Sequence, residues 1–193
     1  LLAWLESDAL REGRSKNGLL KNGNAIASLQ KVFCSGEALS REAVNQFYEA
    51  LPNCELHNLY GPTEAAIDVS YWHCEKGLLN NCMVPIGKPV SNTQLWVLDE
   101  AGQFLPPGVA GELHIGGHQL AKGYLNRDDL NASTFVERMI EGLGLQRLYK
   151  TGDLVRQRRD GVIEYLGRID HQVKIRGYRI ELGEIESRLQ GVE

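Results

Sequence analysis

No apolar run in this chain approaches the roughly 20 residues that a membrane-spanning helix needs, so the sequence argues against a membrane span. The four cysteines lack the spacing of a disulfide framework, and no basic n-region, apolar h-region and cleavage site open the chain. Both absences point to a reducing cytoplasm rather than secretion. A net charge of −4 gives no overall attraction for nucleic acid or an anionic membrane. No G-x-x-x-x-G-K-[ST] phosphate loop and no G-x-G-x-x-G dinucleotide fingerprint occurs. A G-x-S-x-G nucleophile elbow is also missing, and Ser35 in "FCSGE" has no sequence-evident base. Internal repeats and low-complexity tracts are absent.

What is present describes an ordinary folded protein: 193 residues, 42% hydrophobic and 24% charged, enough to build a core. The ends read as cut. Leu1, Trp4 and Leu5 already share a helical face, while Leu182, Ile185 and Leu189 form another just before Glu193, with Glu184 placed to pair with Arg188. The expectation is a segment of a longer polypeptide.

Residues 11–28 are rich in Gly, Asn and Lys and read as a mobile connection. "LQKVFCSG" follows as a short strand. Ser40 then caps a helix whose Val44, Phe47, Tyr48 and Leu51 form one apolar stripe, ended by Pro52. "ELHNLYG" is the next strand. Strand, helix, strand implies a parallel pair with the helix packed across it, and ligands of such sheets sit beyond the carboxyl ends of the strands. "CSGE" and "YGPTE" are both strand-end loops of that kind. From about residue 84 short strands split by turn signals take over, with Asp160-Gly161 as a hairpin turn and a helix from Asn131 between them.

Several chemical readings are weak. Cys54 with His57, and His73 with Cys74 and Cys82, lack the paired spacing of a structural zinc site. Arg156, Arg158 and Arg159 beside a D-G turn are most simply a solvated hairpin. In "QVKIRGYR", Val173 and Ile175 alternate with Lys174 and Arg176. That pattern serves equally well a charge-protected edge strand or a cationic functional face.

Four motifs occur in order: "NLYGPTE" (58–64), "GELHIGGHQLAKGYLNR" (111–127), "LYKTGDLVR" (148–156) and "GRIDHQVKIRGYRIELGEIE" (167–186). Together they closely resemble the core motifs of nonribosomal peptide synthetase adenylation domains. These belong to the adenylate-forming superfamily that includes acyl-CoA synthetases and firefly luciferase. The resemblance covers nearly the whole chain. It implies an α/β fold: residues 1–169 as the carboxyl-terminal portion of the large subdomain, a parallel αβ layer plus a distorted β-barrel section. Residues 170–193 would be the hinge and the start of a small α+β subdomain.

The resemblance further implies an ATP-dependent ligase of secondary metabolism, which forms an aminoacyl-AMP and loads it onto a carrier-protein phosphopantetheine. On that reading Tyr60 stacks on adenine, with Gly36, Glu37 and Ala38 along the other side of the ring. Asn58 meets the adenine amino group. Thr63 contacts phosphate, Glu64 holds Mg²⁺, Asp153 accepts the ribose hydroxyls, and Arg168 contacts ribose and phosphate. Thr63, Glu64 and Arg168 thus carry the catalytic contacts. Asp170 matches the hinge between subdomains and Gly177 a loop bordering the pantetheine tunnel, with Lys174 and Arg176 beside it. The partners implied are a carrier (thiolation) domain and a condensation domain in the same chain, with no nucleic acid and no membrane. The family's Gly/Ser/Thr-rich phosphate loop, the Asp that pairs with an amino acid's ammonium, and the terminal catalytic Lys are expected outside these residues, so the fragment alone is expected to be inactive.

The family's acyl pocket matches Phe33, Ser35, Leu59, Ile67 and Asp68. An apolar floor with one hydroxyl and one carboxylate suits a small side chain bearing a hydrogen-bond donor. A buried Asp68 without a partner would be relieved by a hydroxyl substrate. The series resembles the downstream half of the family's serine code, so L-serine is the expected amino acid. The alternatives are a stand-alone acyl- or aryl-CoA ligase and a non-catalytic module that binds nucleotide or docks a carrier.

Overall fold

The computed structural model describes residues 28–77, 83–170, 172–175 and 178–180, together with 185, 188 and 189. Elements expected at Leu1, Trp4 and Leu5, in the connection up to residue 27, and at Cys82, Arg176, Gly177, Leu182 and Glu184 lie outside the described residues. Ile185, Arg188 and Leu189 are helical, as the apolar spacing predicts.

The first layer is a four-stranded sheet in the order β1 (Lys31–Cys34), β2 (Glu55–Tyr60), β3 (Ser70–Cys74) and β4 (Lys88–Pro89). β1 and β2 are parallel, and helix α1 (Arg41–Ala50) connects them. The Ser40 hydroxyl accepts from Ala43 N at 3.1 Å, satisfying one of the helix's orphan donors. The apolar stripe then fixes which face packs. Val44, Phe47, Tyr48 and Leu51 are buried against Leu56, Cys54 and Cys74. Phe47 is completely enclosed, a burial that contributes about 1.5–3 kcal/mol. β3 returns antiparallel to β2, so the sheet is mixed.

The second section is β-rich. β5 (Thr93–Leu98), β6 (Ala110–Gly117), the long β8 (Gly144–Gln157) and β7 (Phe135–Ile140) are neighbours in that order, and β9 (Ile163–Arg168) pairs with the second half of β8. Asp160-Gly161 turns the chain between β8 and β9: Gly161 has φ +81°, and its N–H donates to Arg158 O at 3.0 Å. β10 (Val173–Ile175) and β11 (Tyr178–Ile180) form a separate hairpin that includes the backbone of Lys174. The helix expected from Asn131 begins earlier, as α2 (Asp128–Thr134). Asn131 does not cap it. Its side chain accepts from Tyr124 N at 2.6 Å and donates to Tyr124 O at 2.9 Å, so it anchors the preceding loop instead.

Backbone hydrogen bonds join the two sections. Ile86 N and Gly87 N both donate to Ile163 O, and Ile163 N donates to Gly87 O. Apolar packing crosses the same seam, because Ala65, Val69 and Ile86 belong to the core formed by Leu113, Ile115, Tyr149 and Val155. The turn after β2 is thus wedged between the two sections. Among the described residues no helix is long and apolar enough to cross a membrane.

Candidate active site

β2 ends at Tyr60, and the chain then makes a tight excursion before β3. Thr63–Ala65 form a single 3-10 turn whose Ala65 side chain is fully buried. Ala66 and Ile67 follow at φ 56° and 78°, left-handed backbone that is rare for a β-branched residue and marks local strain. Val69 N donates to Tyr60 O and closes the loop. Gly61 is required here, since a Cβ would lie 2.1 Å from Ile67 O.

A pocket opens between this loop and the β-rich section. Gly36, Glu37 and Ala38 line one side, with Asn58, Leu59 and Tyr60 on another, and Asp153 and Tyr165 contributed by the second section. Gly36 adopts φ +93°, which leaves the "CSGE" loop without a side chain at that point. Asn58 is 3% exposed, and its amide nitrogen donates to Pro85 O at 2.8 Å, so the atom it offers a ligand is the acceptor Oδ1. Six of the seven residues that sequence resemblance assigns around adenine and ribose, five of them from the first sheet and its loops, therefore border one cavity, while Arg168 lies behind Asp153 outside its lining.

Asp153 is buried as well, at 6% exposed, and both of its carboxylate oxygens are held. The Tyr60 hydroxyl donates to its Oδ2, and Arg168 Nη1 donates to its Oδ1 at 2.9 Å. Asp153 and Arg168 are direct partners in the β8–β9 register, so strand pairing itself sets this ion pair. Thr151 fixes the backbone beneath, accepting from Asp153 N at 3.0 Å and donating to Leu113 O at 2.8 Å. Burial, then the Asp153 carboxylate, push the Tyr60 hydroxyl well above the usual phenol range, so it acts as a donor. Arg168 also donates to Asp170, and to Gln172 Oε1 at 2.6 Å. Burial works against its charge, but the Asp170 hydrogen bond and the charges of Asp153 and Asp170 outweigh it and raise its pKa.

Thr63 and Glu64 lie on the 3-10 turn and do not line this pocket. Glu64 Oε1 accepts from the Tyr124 hydroxyl at 2.6 Å. A single hard carboxylate fits Mg²⁺, an ion that keeps several waters and binds through one or two carboxylates plus phosphates. Glu64, Arg168 and Asp170 border a second hollow together with Tyr124, Lys150 and Gly152.

The five positions matched to an acyl pocket divide. Leu59 is half-buried in the cleft. Phe33, on β1, and Ile67, on the turn before β3, are 59% and 65% exposed. The expectation that Asp68 lacks a partner is corrected: it is only part-buried and accepts from the Ser35 hydroxyl at 2.8 Å. The two polar pocket residues are bonded to each other because the loops after β1 and β2 end side by side.

The weak readings resolve in geometric terms. Cys54 and Cys74 are buried in the first core, where burial raises both thiols, Cys74 to about 12. Instead of thiolates, Glu55, His57 and His73 come together, through the in-register pairing of His57 with His73. Lys31 already holds Glu55 at 3.0 Å, which makes an ion-pair ladder on the sheet surface. Arg156 and Arg158 pair with Glu164 and Asp160, as expected of a solvated hairpin.

Tyr124, Asn131, Arg147 and Thr151 carry structural duties at this site that sequence reasoning did not assign. Tyr124 lies inside the second of the four ordered motifs, and that was the available signal.

A mixed αβ sheet joined to a β-rich section, with a paired Asp and Arg at the back of the intervening cleft, is the architecture of an adenylate-forming domain. The chain belongs to the AMP-binding enzyme family, whose model matches residues 3–125. It is 50% identical over 191 residues to phosphinothricin tripeptide synthetase PhsB of Streptomyces viridochromogenes, covering 99% of this chain and 15% of that protein. The structure of holo-PA1221, an NRPS protein containing adenylation and PCP domains bound to a vinylsulfonamide inhibitor, superposes with a TM-score of 0.81 at 34% identity. That match covers 87% of this chain and 29% of the other. Vibrio cholerae adenylation domain AlmE, in complex with glycyl-adenosine-5'-phosphate, gives a TM-score of 0.78 at 35% identity over 94% of this chain and 33% of AlmE. The chain is therefore part of an adenylation domain of the peptide synthetase type, and it spans about a seventh of PhsB and about a third of the solved neighbours.

Proposed function

We propose that the protein carrying this chain converts ATP and an amino acid into an aminoacyl-adenylate and pyrophosphate, with L-serine as the amino acid. A carboxylate oxygen attacks the α-phosphorus, the bond to the β-phosphate oxygen breaks, and pyrophosphate leaves. A carrier-domain phosphopantetheine thiol then attacks the acyl carbon, and AMP departs. This is positioning and charge neutralisation rather than covalent catalysis by the protein.

The observation that carries the reading is the buried Asp153 carboxylate, held between Tyr60 and Arg168 at the back of the cleft. In this reading Asp153 accepts the ribose hydroxyls and Arg168 reaches ribose and phosphate. The Tyr60 ring and the Gly36, Glu37 and Ala38 loop sandwich the base, and Asn58 Oδ1 accepts from its amino group. Thr63 contacts phosphate and Glu64 holds Mg²⁺, which would offset phosphate charge. The AlmE neighbour, an adenylation domain in complex with glycyl-adenosine-5'-phosphate, supports an aminoacyl-adenylate as the product.

Ser35 and Asp68 form the polar end of the amino-acid pocket, with Phe33, Leu59 and Ile67 as its apolar part. Their mutual hydrogen bond offers a serine hydroxyl an acceptor in Asp68 and a second partner in Ser35. Residues 1–169 belong to the large subdomain and residues 170–193 to the hinge and small subdomain. Asp170 is the pivot, and Lys174, Arg176 and Gly177 border the pantetheine path. A cytoplasmic synthetase with carrier and condensation domains in one polypeptide completes the proposal. The carrier arrangement is supported by the adenylation and PCP domains of PA1221.

Amino-acid-dependent ATP–pyrophosphate exchange by the full-length protein tests this. Exchange is expected to be greatest with L-serine. Preference for a large apolar amino acid would overturn the serine assignment, and absence of exchange with every amino acid would overturn the activity.

A further inference from the structure

Glu64 is half-buried on a single 3-10 turn, and a glutamate has three rotatable bonds that such a turn does not by itself fix. Yet it is gripped at two points by a single neighbouring segment. Ala121 N donates to Glu64 O at 2.7 Å, and the Tyr124 hydroxyl donates to Glu64 Oε1 at 2.6 Å.

That segment is itself fixed by two side chains from other elements. Arg147, on β8, donates to Ala121 O at 2.7 Å and Lys122 O at 2.8 Å, and its guanidinium lies 4.3 Å from the centre of the Phe135 ring. Asn131, on α2, bonds both the N–H and the carbonyl of Tyr124. Gly123 between them has φ +147°, and a Cβ there would come 2.7 Å from Asn131 Oδ1. The Tyr124 ring leans on Phe135, which in turn contacts Tyr149. A loop does not need this bracing simply to reverse direction. What the bracing delivers is one phenol oxygen at a fixed place against one carboxylate.

We propose that Tyr124 is a positioning residue that holds the Glu64 carboxylate in its metal-binding pose, with Arg147 and Asn131 holding Tyr124. The proposal rests on the reading of Glu64 as the Mg²⁺-holding group. Residues that orient a metal ligand typically change metal affinity by 10- to 100-fold when removed, without themselves touching the ion.

The test uses the full-length protein with ATP and no amino acid, and follows Mn²⁺ binding to the protein by the enhancement of water-proton relaxation over that of Mn–ATP alone. Y124F is expected to weaken Mn²⁺ binding about tenfold, and to raise the metal concentration needed for half-maximal exchange while the rate at saturating metal changes little. E64Q serves as the separating arm. If E64Q weakens Mn²⁺ binding and Y124F binds like the unmodified protein, the role of Tyr124 is overturned while that of Glu64 survives. If E64Q binds Mn²⁺ normally, the reading of Glu64 fails, and this inference with it. A uniform fall in rate at every metal concentration, with unchanged Mn²⁺ affinity, also overturns the proposal. Should Y124F not fold, 3-fluorotyrosine placed at position 124 gives a second measure. Its fluorine resonance broadens on Mn²⁺ addition if the ring adjoins the metal site, and an unbroadened resonance overturns the assignment.

Discussion

The Tyr60 hydroxyl donates a hydrogen bond to the Asp153 carboxylate, joining residues 93 positions apart in sequence. One lies at the end of a strand in the mixed sheet and the other in the longest strand of the β-rich section. This contact closes the back of the cleft and ties the ring proposed to stack on adenine to the carboxylate proposed to hold ribose. Y60F keeps the ring and removes only that tie. It is expected to lower stability by about 1 kcal/mol, read as a lower Tm, with the KM for ATP little altered.

D153N removes the charge that Arg168 faces while preserving shape. Arg168 retains Asp170 and Gln172, so the fold is expected to survive. Pyrophosphate exchange should fall roughly a hundredfold. Unchanged exchange would remove Asp153 from the proposed ribose contact.

Ser35 and Asp68 share one hydrogen bond, so their substitutions should not be independent. D68A is expected to reduce kcat/KM for serine about tenfold or more relative to alanine. S35A should produce a smaller loss. Comparing S35A, D68A and the double variant in one exchange assay measures the coupling, and strict additivity would argue against a joint hydroxyl site.

Gly61 has no room for a side chain against Ile67 O. G61A should therefore cost about 2 kcal/mol or more by displacing the turn, and should reduce exchange by moving Thr63 and Glu64. Denaturant unfolding alongside exchange separates the two effects.

His114 is buried in β6, and burial pushes its pKa below the ordinary value, with Lys150 and Arg138 adding to the shift and Glu112 opposing it. The sign follows from linkage. As pH falls through about 6.5 the unfolded chain's histidine takes up a proton first, while the folded one resists until lower pH. His114 is thus expected to leave stability unaffected above that range and to erode it as pH drops from there to its depressed folded value. H114N should flatten this part of a Tm-versus-pH curve, and an unchanged curve would assign the acid sensitivity to other groups.

Much of the first layer was legible in the sequence because its signals are local. The Ser40 cap, the stripe from Val44 to Leu51 and the two flanking apolar runs each depend on residues within a few positions, and all occur as expected. The ordered motifs likewise pointed to the family. The helix expected from Asn131 begins at Asp128, and the Asn131 side chain is used by Tyr124. The partnership of Ser35 with Asp68 was missed because it spans 33 residues and depends on two loops ending together.

Residue type and spacing by themselves determined the αβ unit, the turn chemistry of Asp160-Gly161 and the kinship of the four motifs, since propensity, capping and periodicity act over one or two turns of chain. Only the tertiary structure decided that Tyr60 and Arg168 share the two oxygens of Asp153, and that Tyr124 addresses Glu64. Those contacts depend on strand register and on how two sections pack across a seam, which are set by the burial of Ala65, Val69 and Ile86 in a core built largely from residues further along the chain.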